Sequence, residues 1–362
     1  MYEKAIKKPK GLTKIWRKIQ RLLRQFTGSA LRSMSKGKGD TSYVVVKSQD
    51  ELPTYVRIEA STLCQLNCPS CYMRINNSGS VGKGFLKFED FKKFLDGHSF
   101  IKTIELSNSG EIFLNPELME IIKYAHSKNV QLRAGNGVNF NTVQDEMLEL
   151  LVKYKFSFLT ISIDGASQEI YSQYRINGNF DTVISNIKKL NEYKKKYNSK
   201  YPKLRWQYVI MSHNENEVAK AKKLAKALGM DISFKLTWDR DYIPKNIEML
   251  KMETGLAYFS RKDHESNSGI RYATACHQLF NKPQINWDGR LLGCCCVYKN
   301  DFGVNVFEVG LDKALNSDQF TYAKKMLQGK ALPPEQKMSN IPCVECPTFE
   351  YMLVNKSFLR IC

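Results

Sequence analysis

No run of apolar residues in this 362-residue chain approaches the ~18 needed to cross a bilayer. A membrane-spanning protein is therefore not expected. The N-terminus has no apolar h-region followed by a small-residue cleavage site and opens instead with Lys4, Lys7, Lys8 and Lys10. Secretion is not expected either, and the reading is a cytoplasmic protein. Acidic residues are scarce: 36 Asp and Glu stand against 55 Lys and Arg, a formal charge of +19. The imbalance is local, because residues 1 to 40 hold twelve Lys or Arg against Glu3 and Asp40, more than half of the excess. Cysteine is absent from residue 72 to residue 275, although the chain has ten. In a chain without a secretion signal a disulfide framework is the poorer account of ten cysteines, and metal ligation the better one. Two separated groups suggest two separate sites.

What is present is a globular composition, 43% hydrophobic and 11% aromatic, at a length that suggests one large α/β domain and a smaller second one. In the basic arm Leu12, Ile15, Trp16, Ile19, Leu22, Leu23 and Phe26 recur at helical spacing with Lys and Arg between them. This amphipathic helix either packs on the protein body or meets an anionic membrane surface or an acidic partner. Residues 27 to 50 read as a linker. From residue 54 β-rich runs at 55 to 60, 103 to 108, 130 to 134, 158 to 163, 204 to 211 and 231 to 238 alternate with helical stretches at 116 to 128, 145 to 155, 181 to 197 and 215 to 228. Six βα units predict a parallel sheet closed as a partial (β/α)6 TIM-type barrel, with its chemistry at the carboxyl ends of the strands. The expected organisation is a basic arm and linker over 1–53, the barrel over 54–240, a connection over 241–267 and a small Cys-rich iron–sulfur domain over 268–362.

Cys64, Cys68 and Cys71 form a C-x3-C-x2-C triad directly after the alternating segment 55–59. A loop this short can aim three thiolates at one four-iron cube and leave one iron open. A structural zinc site would need a fourth Cys or His close by, and the nearest is His98.

Cys64-Gln65-Leu66-Asn67-Cys68-Pro69-Ser70-Cys71, with supporting motifs through residue 240, resembles the cluster loop of the radical S-adenosylmethionine (radical SAM) superfamily. The resemblance implies a [4Fe-4S] cluster whose open iron is chelated by S-adenosylmethionine. It further implies reductive cleavage to a 5'-deoxyadenosyl radical and hydrogen-atom abstraction from a substrate, with an electron donor such as flavodoxin or ferredoxin. Ser109-Gly110-Glu111 resembles the family's Gly-Gly-Glu turn, which holds the methionine ammonium; its first glycine is a serine here. Ser162 and Arg175 resemble the pair that holds the methionine carboxylate, a task an arginine fork suits. Tyr72 stands just after the third cysteine, where the family's aromatic usually comes just before it, and is an adenine-site candidate. Asn136 and Asn214 are candidates for ribose contacts. For Glu111 the competing role is a helix N-terminal acid, for Ser162 and Asp164 a turn, and for Arg175 a surface ion pair.

Cys276, Cys294, Cys343 and Cys346, with Trp287-Asp288-Gly289-Arg290 as a hairpin, are similar to a shortened SPASM or twitch form. That implies a second, auxiliary [4Fe-4S] cluster on four cysteines, suited to electron transfer. A four-cysteine zinc knuckle competes with it. Cys295 or Cys296 could replace Cys294, or supply a hydrogen atom to a substrate radical, and Cys362 has no assigned role. The functional expectation is a radical SAM oxidoreductase or modifying enzyme, foremost one that oxidises a sugar-like or carrier-linked small molecule. The alternative is a maturase or epimerase acting on a ribosomally made peptide. A non-catalytic, metal-stapled basic protein binding nucleic acid or a membrane explains the basic arm but not the Ser-Gly-Glu turn or the six βα units.

Overall fold

A computed structural model describes residues 45–46, 52–75, 81–269, 271–272, 275–296, 300–331 and 341–361. The basic arm, most of the linker and Cys362 lie outside the described residues. Residues 41 to 362 form one compact unit.

Its centre is an eight-stranded sheet in the order β7-β6-β5-β4-β3-β2-β8-β9. β2 (Tyr55–Ile58), β3 (Thr103–Glu105), β4 (Gln131–Val138), β5 (Phe158–Ser162), β6 (Lys203–Ile210) and β7 (Asp231–Leu236) are the six expected strands, laid side by side in chain order and all parallel. Parallel neighbours need crossovers, and the helices Phe88–Gly97, Leu118–Ser127, Asp145–Lys153, Phe180–Lys196 and Val218–Ala227 supply them. The helix ends fall within a few residues of the expected ones, because cap chemistry marks them. Asn179 caps the fifth-strand crossover through Thr182 N, for example.

The strands alternate sharply. Val56, Ile58, Ile104, Leu132, Ala134, Leu159, Ile161, Trp206 and Tyr208 are fully buried in the layer between sheet and helices. Arg57, Glu59, Glu105, Arg133, Thr160, Ser162 and Gln207 alternate with them and therefore face the other side, the lumen. A parallel sheet buried on both faces ordinarily reads as continuous apolar runs. Here the inner face is polar, which is why the strands were legible as alternating segments.

The last part of the chain is sewn into this sheet. β8 (Gln284–Ile285) pairs parallel with β2, and β9 (Leu291–Gly293) returns antiparallel to β8. The connecting turn is the expected Asp-Gly hairpin, with Gly289 at φ +89, where a Cβ would strike Asn305 Oδ1 at 2.1 Å. Trp287 Nε1 donates to Val81 O at 2.9 Å, so the hairpin also clasps the segment that follows the Cys triad. A short parallel pair, β1 (Val45–Val46) with β10 (Arg360–Ile361), joins the two ends of the unit. Among the described residues no helix is long and apolar enough to cross a membrane.

Candidate active site at the carboxyl ends of the strands

The Cys triad occupies the loop after β2. Cys64 is exposed, Cys71 intermediate and Cys68 buried, and Cys71 N donates to Cys68 O at 3.1 Å in a turn that leads into the helix Tyr72–Ile75. The loop is tethered on both flanks. Asn67 N donates to Ile176 O at 3.0 Å, and Glu111 N donates to Leu63 O at 2.8 Å. Gly110 is required by this second tether, since a Cβ there would lie 2.4 Å from Ser61 O and 2.6 Å from Leu63 O.

Two polar side chains reach the sulfurs. Arg175 Nη1 lies 3.7 Å from Cys68 Sγ, and Asn139 Nδ2 lies 3.5 Å from Cys64 Sγ. Asp164 aims Arg175: its Oδ2 accepts from Arg175 Nε at 2.7 Å and Nη2 at 2.6 Å, while Oδ1 accepts from Val209 N at 2.8 Å. Burial works against the guanidinium's charge, but Asp164 and Cys68 outweigh it and push the pKa up. Asn139 is held by Gln65, whose Nε2 donates to Asn139 Oδ1 at 2.8 Å. Burial pushes the Cys64 thiol up to about 11.

The Ser109-Gly110-Glu111 turn sits beside this loop. Glu59 Oε1 accepts from Ser109 N at 3.0 Å. Glu111 is buried, accepts from Asn139 N and, at 3.3 Å, from Phe113 N, and is raised by burial to about 7. Glu111 thus caps the short turn Ile112–Leu114, the competing structural role, while lying in the field of Cys64. Ser162 is buried at the end of β5 and accepts from Gln207 Nε2 at 3.3 Å. A Cβ on Gly137 would fall 2.3 Å from its Oγ, at φ +126. Asn136 Nδ2 donates to Asn108 Oδ1 at 2.7 Å on the lumen side of the same strand ends. The structure therefore brings together the triad, Ser109, Gly110, Glu111 and Arg175 at one mouth, with Ser162 and Asn136 at adjacent strand ends.

Several expectations are revised. The competing surface ion pair for Arg175 does not apply, because its partner Asp164 has no exposed surface. Asn214 is fully buried and spent on backbone: its Nδ2 donates to Asp164 O and Val209 O, and its Oδ1 accepts from Met211 N. His98 is no fourth ligand, since Nδ1 contacts Phe94 O at 2.6 Å and Nε2 accepts from Leu311 N at 2.9 Å. Tyr72 faces the second cysteine group, where it lines that group's cavity. Asp164, Asn139 and Glu59 are positioning groups that sequence reasoning missed. The one signal for Glu59 was a carboxylate on the inward phase of an otherwise legible strand.

The second group surrounds a cavity of about 220 Å³ lined by Cys276, Cys294, Cys343 and Cys346, with Cys296 and Tyr72 also on its wall. Cys295 is not on that wall; its N–H is held by Gln278 Oε1 at 2.8 Å, and its carbonyl accepts from Asn108 of the barrel at 3.4 Å. Burial pushes Cys276 up to about 12 and raises Cys294 and Cys343 as well. Four cysteines on one cavity wall are a four-thiolate donor set of the kind that holds a [4Fe-4S] cluster or a zinc ion.

A parallel barrel with a three-cysteine loop at its carboxyl mouth defines the class, and sequence comparison supplies the family. Residues 58–205 match the model of the Radical SAM superfamily, whose enzymes use a [4Fe-4S] cluster and S-adenosylmethionine. Among curated proteins it is similar to the AdoMet-dependent heme synthase of Methanosarcina barkeri, at 26% identity over 230 residues, 62% of this chain and 63% of that protein. It is also similar to the mycofactocin maturase MftC of Mycobacterium tuberculosis, at 25% identity over 142 residues, 39% of this chain and 35% of that protein. The chain therefore spans less than two thirds of either relative's length. The crystal structure of Streptococcus suis SuiB bound to S-adenosylmethionine superposes with a TM-score of 0.57 at 13% identity, over 85% of this chain and 76% of that one. At that identity the likeness is one of fold.

Proposed function

We propose that this chain is a radical SAM enzyme in which Cys64, Cys68 and Cys71 hold the [4Fe-4S] cluster that binds S-adenosylmethionine, and Cys276, Cys294, Cys343 and Cys346 hold an auxiliary [4Fe-4S] cluster. The observation that carries the reading is the loop itself: three thiols within eight residues, tethered to the Ser109–Glu111 turn and the Ile176 backbone, and reached by Arg175 and Asn139. A [4Fe-4S] cluster held there by Cys64, Cys68 and Cys71 would supply the one-electron chemistry that reductive cleavage of S-adenosylmethionine needs.

The chain's own groups set the stage for that chemistry. Asp164 holds Arg175 in one orientation, so a planar cation faces the cofactor's carboxylate without losing rotamer freedom on binding. Glu111, fixed by backbone N–H groups, offers a carboxylate to an ammonium, and that pairing would bring its raised pKa back down. Gly137 leaves Ser162 Oγ uncovered. The second cavity opens beside Tyr72, one residue past Cys71, a nearness that supports a role for the four-cysteine group in accepting the electron released as a substrate radical is oxidised.

The substrate is either the polar small molecule of the sequence reading or a peptide. The polar inner face supports the first, and the likeness to a protein named mycofactocin maturase supports the second. Iron and sulfide per chain after anaerobic reconstitution test the assignment. About eight irons in the wild type and about four in the Cys64/Cys68/Cys71→Ala protein, with loss of 5'-deoxyadenosine, are expected. Persistent 5'-deoxyadenosine in the triple variant would falsify the reading.

A further inference from the structure

Two cations at the carboxyl end of β7 make no ion pair among the described residues. Arg261, at the first position of the helix Arg261–Ser268, is 8% exposed. Its Nε donates to Thr237 O at 2.8 Å, and its guanidinium lies 3.4 Å from the centre of the Trp238 ring and 5.1 Å from that of Tyr272. A buried guanidinium ordinarily has an acidic partner, since an unpaired buried charge is costly. A helix N-terminus, already positive, is a poor place for a cation. The acids of its own helix are engaged: Glu265 pairs with Arg240, and Asp263 Oδ1 accepts from Asn267 at 2.7 Å. Among the described residues Arg261 makes no ion pair.

Lys235 stands two residues before Thr237 on β7, in register with Val209 of β6 and so on the lumen phase with Gln207 and Ser233. Its ammonium keeps contact with solvent, and among the described residues it too has no ion pair. Asp164, an acid whose field reaches it, is committed to Arg175. On the same inner face Gln207 Oε1 and Thr160 Oγ1 are buried without a hydrogen-bond partner among the described residues, groups that hydroxyl or amine donors elsewhere on a ligand would satisfy. Beside the cations the indole of Trp238 is 58% exposed.

We infer that Lys235 and Arg261 form an oxyanion anchor for the substrate, which therefore carries a carboxylate or phosphate group next to an apolar surface that lies on Trp238. The anchor rests on the reading of the lumen as a substrate chamber and narrows that reading to anionic substrates. It holds the substrate at the β7 side of the sheet.

The test uses the reconstituted full chain with inorganic phosphate and glutarate as separate probes, read by isothermal titration at two salt concentrations. At least one probe binds the wild type, more weakly at high salt. Tighter phosphate points to a phosphorylated substrate and tighter glutarate to a carboxylated one. Lys235 is exposed, so Lys235→Gln folds, and it weakens binding roughly tenfold or more. Lys235→Glu supplies the missing carboxylate to Arg261 and abolishes binding without lowering Tm. Lys188→Gln, on a remote surface helix, leaves binding as it is. If neither probe binds, or both Lys235 variants bind within twofold of the wild type, the anchor does not exist. 5'-Deoxyadenosine formation by the wild type is scored separately. Lys235-dependent binding without it would keep the anchor and remove the radical SAM reading, and the converse would remove the anchor alone.

Discussion

Asp164 and Arg175 form the buried ion pair nearest to the cluster loop, and the side chain of Asp164 has no exposed surface. Replacing Asp164 with Ala leaves a guanidinium in the interior with only Cys68 before it. Loss of one member of a buried pair costs about 3–5 kcal/mol. Urea unfolding of Asp164→Ala should show a loss of that size, and a change under about 1 kcal/mol would mean that Arg175 is held by something else. Glu59 presents the opposite case, a buried carboxyl that makes no ion pair among the described residues and feels Arg57 only from a distance. Burial raises it from 4.5 to about 7, against the hydrogen bond from Ser109. The folded state then binds the proton more tightly than the unfolded chain does. Stability is present in full below about pH 4.5 and is lost as pH rises through about 7, on the order of 3 kcal/mol for this one group. Glu59→Gln should flatten that part of the pH–stability curve of the cluster-free protein; a curve of unchanged slope would assign the dependence to other groups. Of the residues at the mouth, the cysteines and the Ser-Gly-Glu turn were legible in the sequence because their chemistry depends on short spacings. Asp164, Asn139 and Glu59 were not, because each acts through a partner 11 to 75 residues away that only the fold brings near.

At the scale of elements, every barrel strand was readable from periodicity, as were four of the five crossover helices; Phe88–Gly97 was not among those expected. The alternation of fully buried Val56 and Ile58 with Arg57 and Glu59 explains why, since a polar inner face restores the period of two that most parallel strands lack. What periodicity could not supply was the pairing of β8 with β2. Two residues, Gln284 and Ile285, make no pattern, and the join is fixed by Arg57 Nε donating to Gln284 Oε1 at 2.8 Å and by Trp287 reaching Val81. Gly84 is the contact that lets the hairpin close. A Cβ at this position would lie 2.5 Å from the Trp287 ring, so Gly84→Val should displace the indole and cost about 1–3 kcal/mol. Trp287 fluorescence should report the displacement directly; a wild-type spectrum with wild-type stability would show that the latch is dispensable.

For the molecule as a whole, the two cysteine groups are parts of one folded unit. The hairpin Gln284–Gly293 belongs to the barrel sheet, Tyr72 reaches from the triad's helix to the second cavity, and Cys295 O is held by Asn108 at the barrel mouth. Reading the chain as separate consecutive modules follows naturally from where cysteines occur along it. Reading it as one object follows from which strands touch.

The bond from Arg57 to Gln284 also spans 227 residues of chain. A nascent chain emerging from the ribosome thus exposes β2 as an unpaired edge until nearly four fifths of the sequence has been made. Contacts of such long range form slowly and leave strand edges open to misassociation in the meantime. The loop that carries the first three thiols is among the earliest parts synthesised, yet it gains its final wall among the last. Iron loading at the proposed cluster is accordingly expected of the finished polypeptide, and a ribosome-bound fragment ending before residue 284 should present these cysteines as reactive, unsheltered thiols.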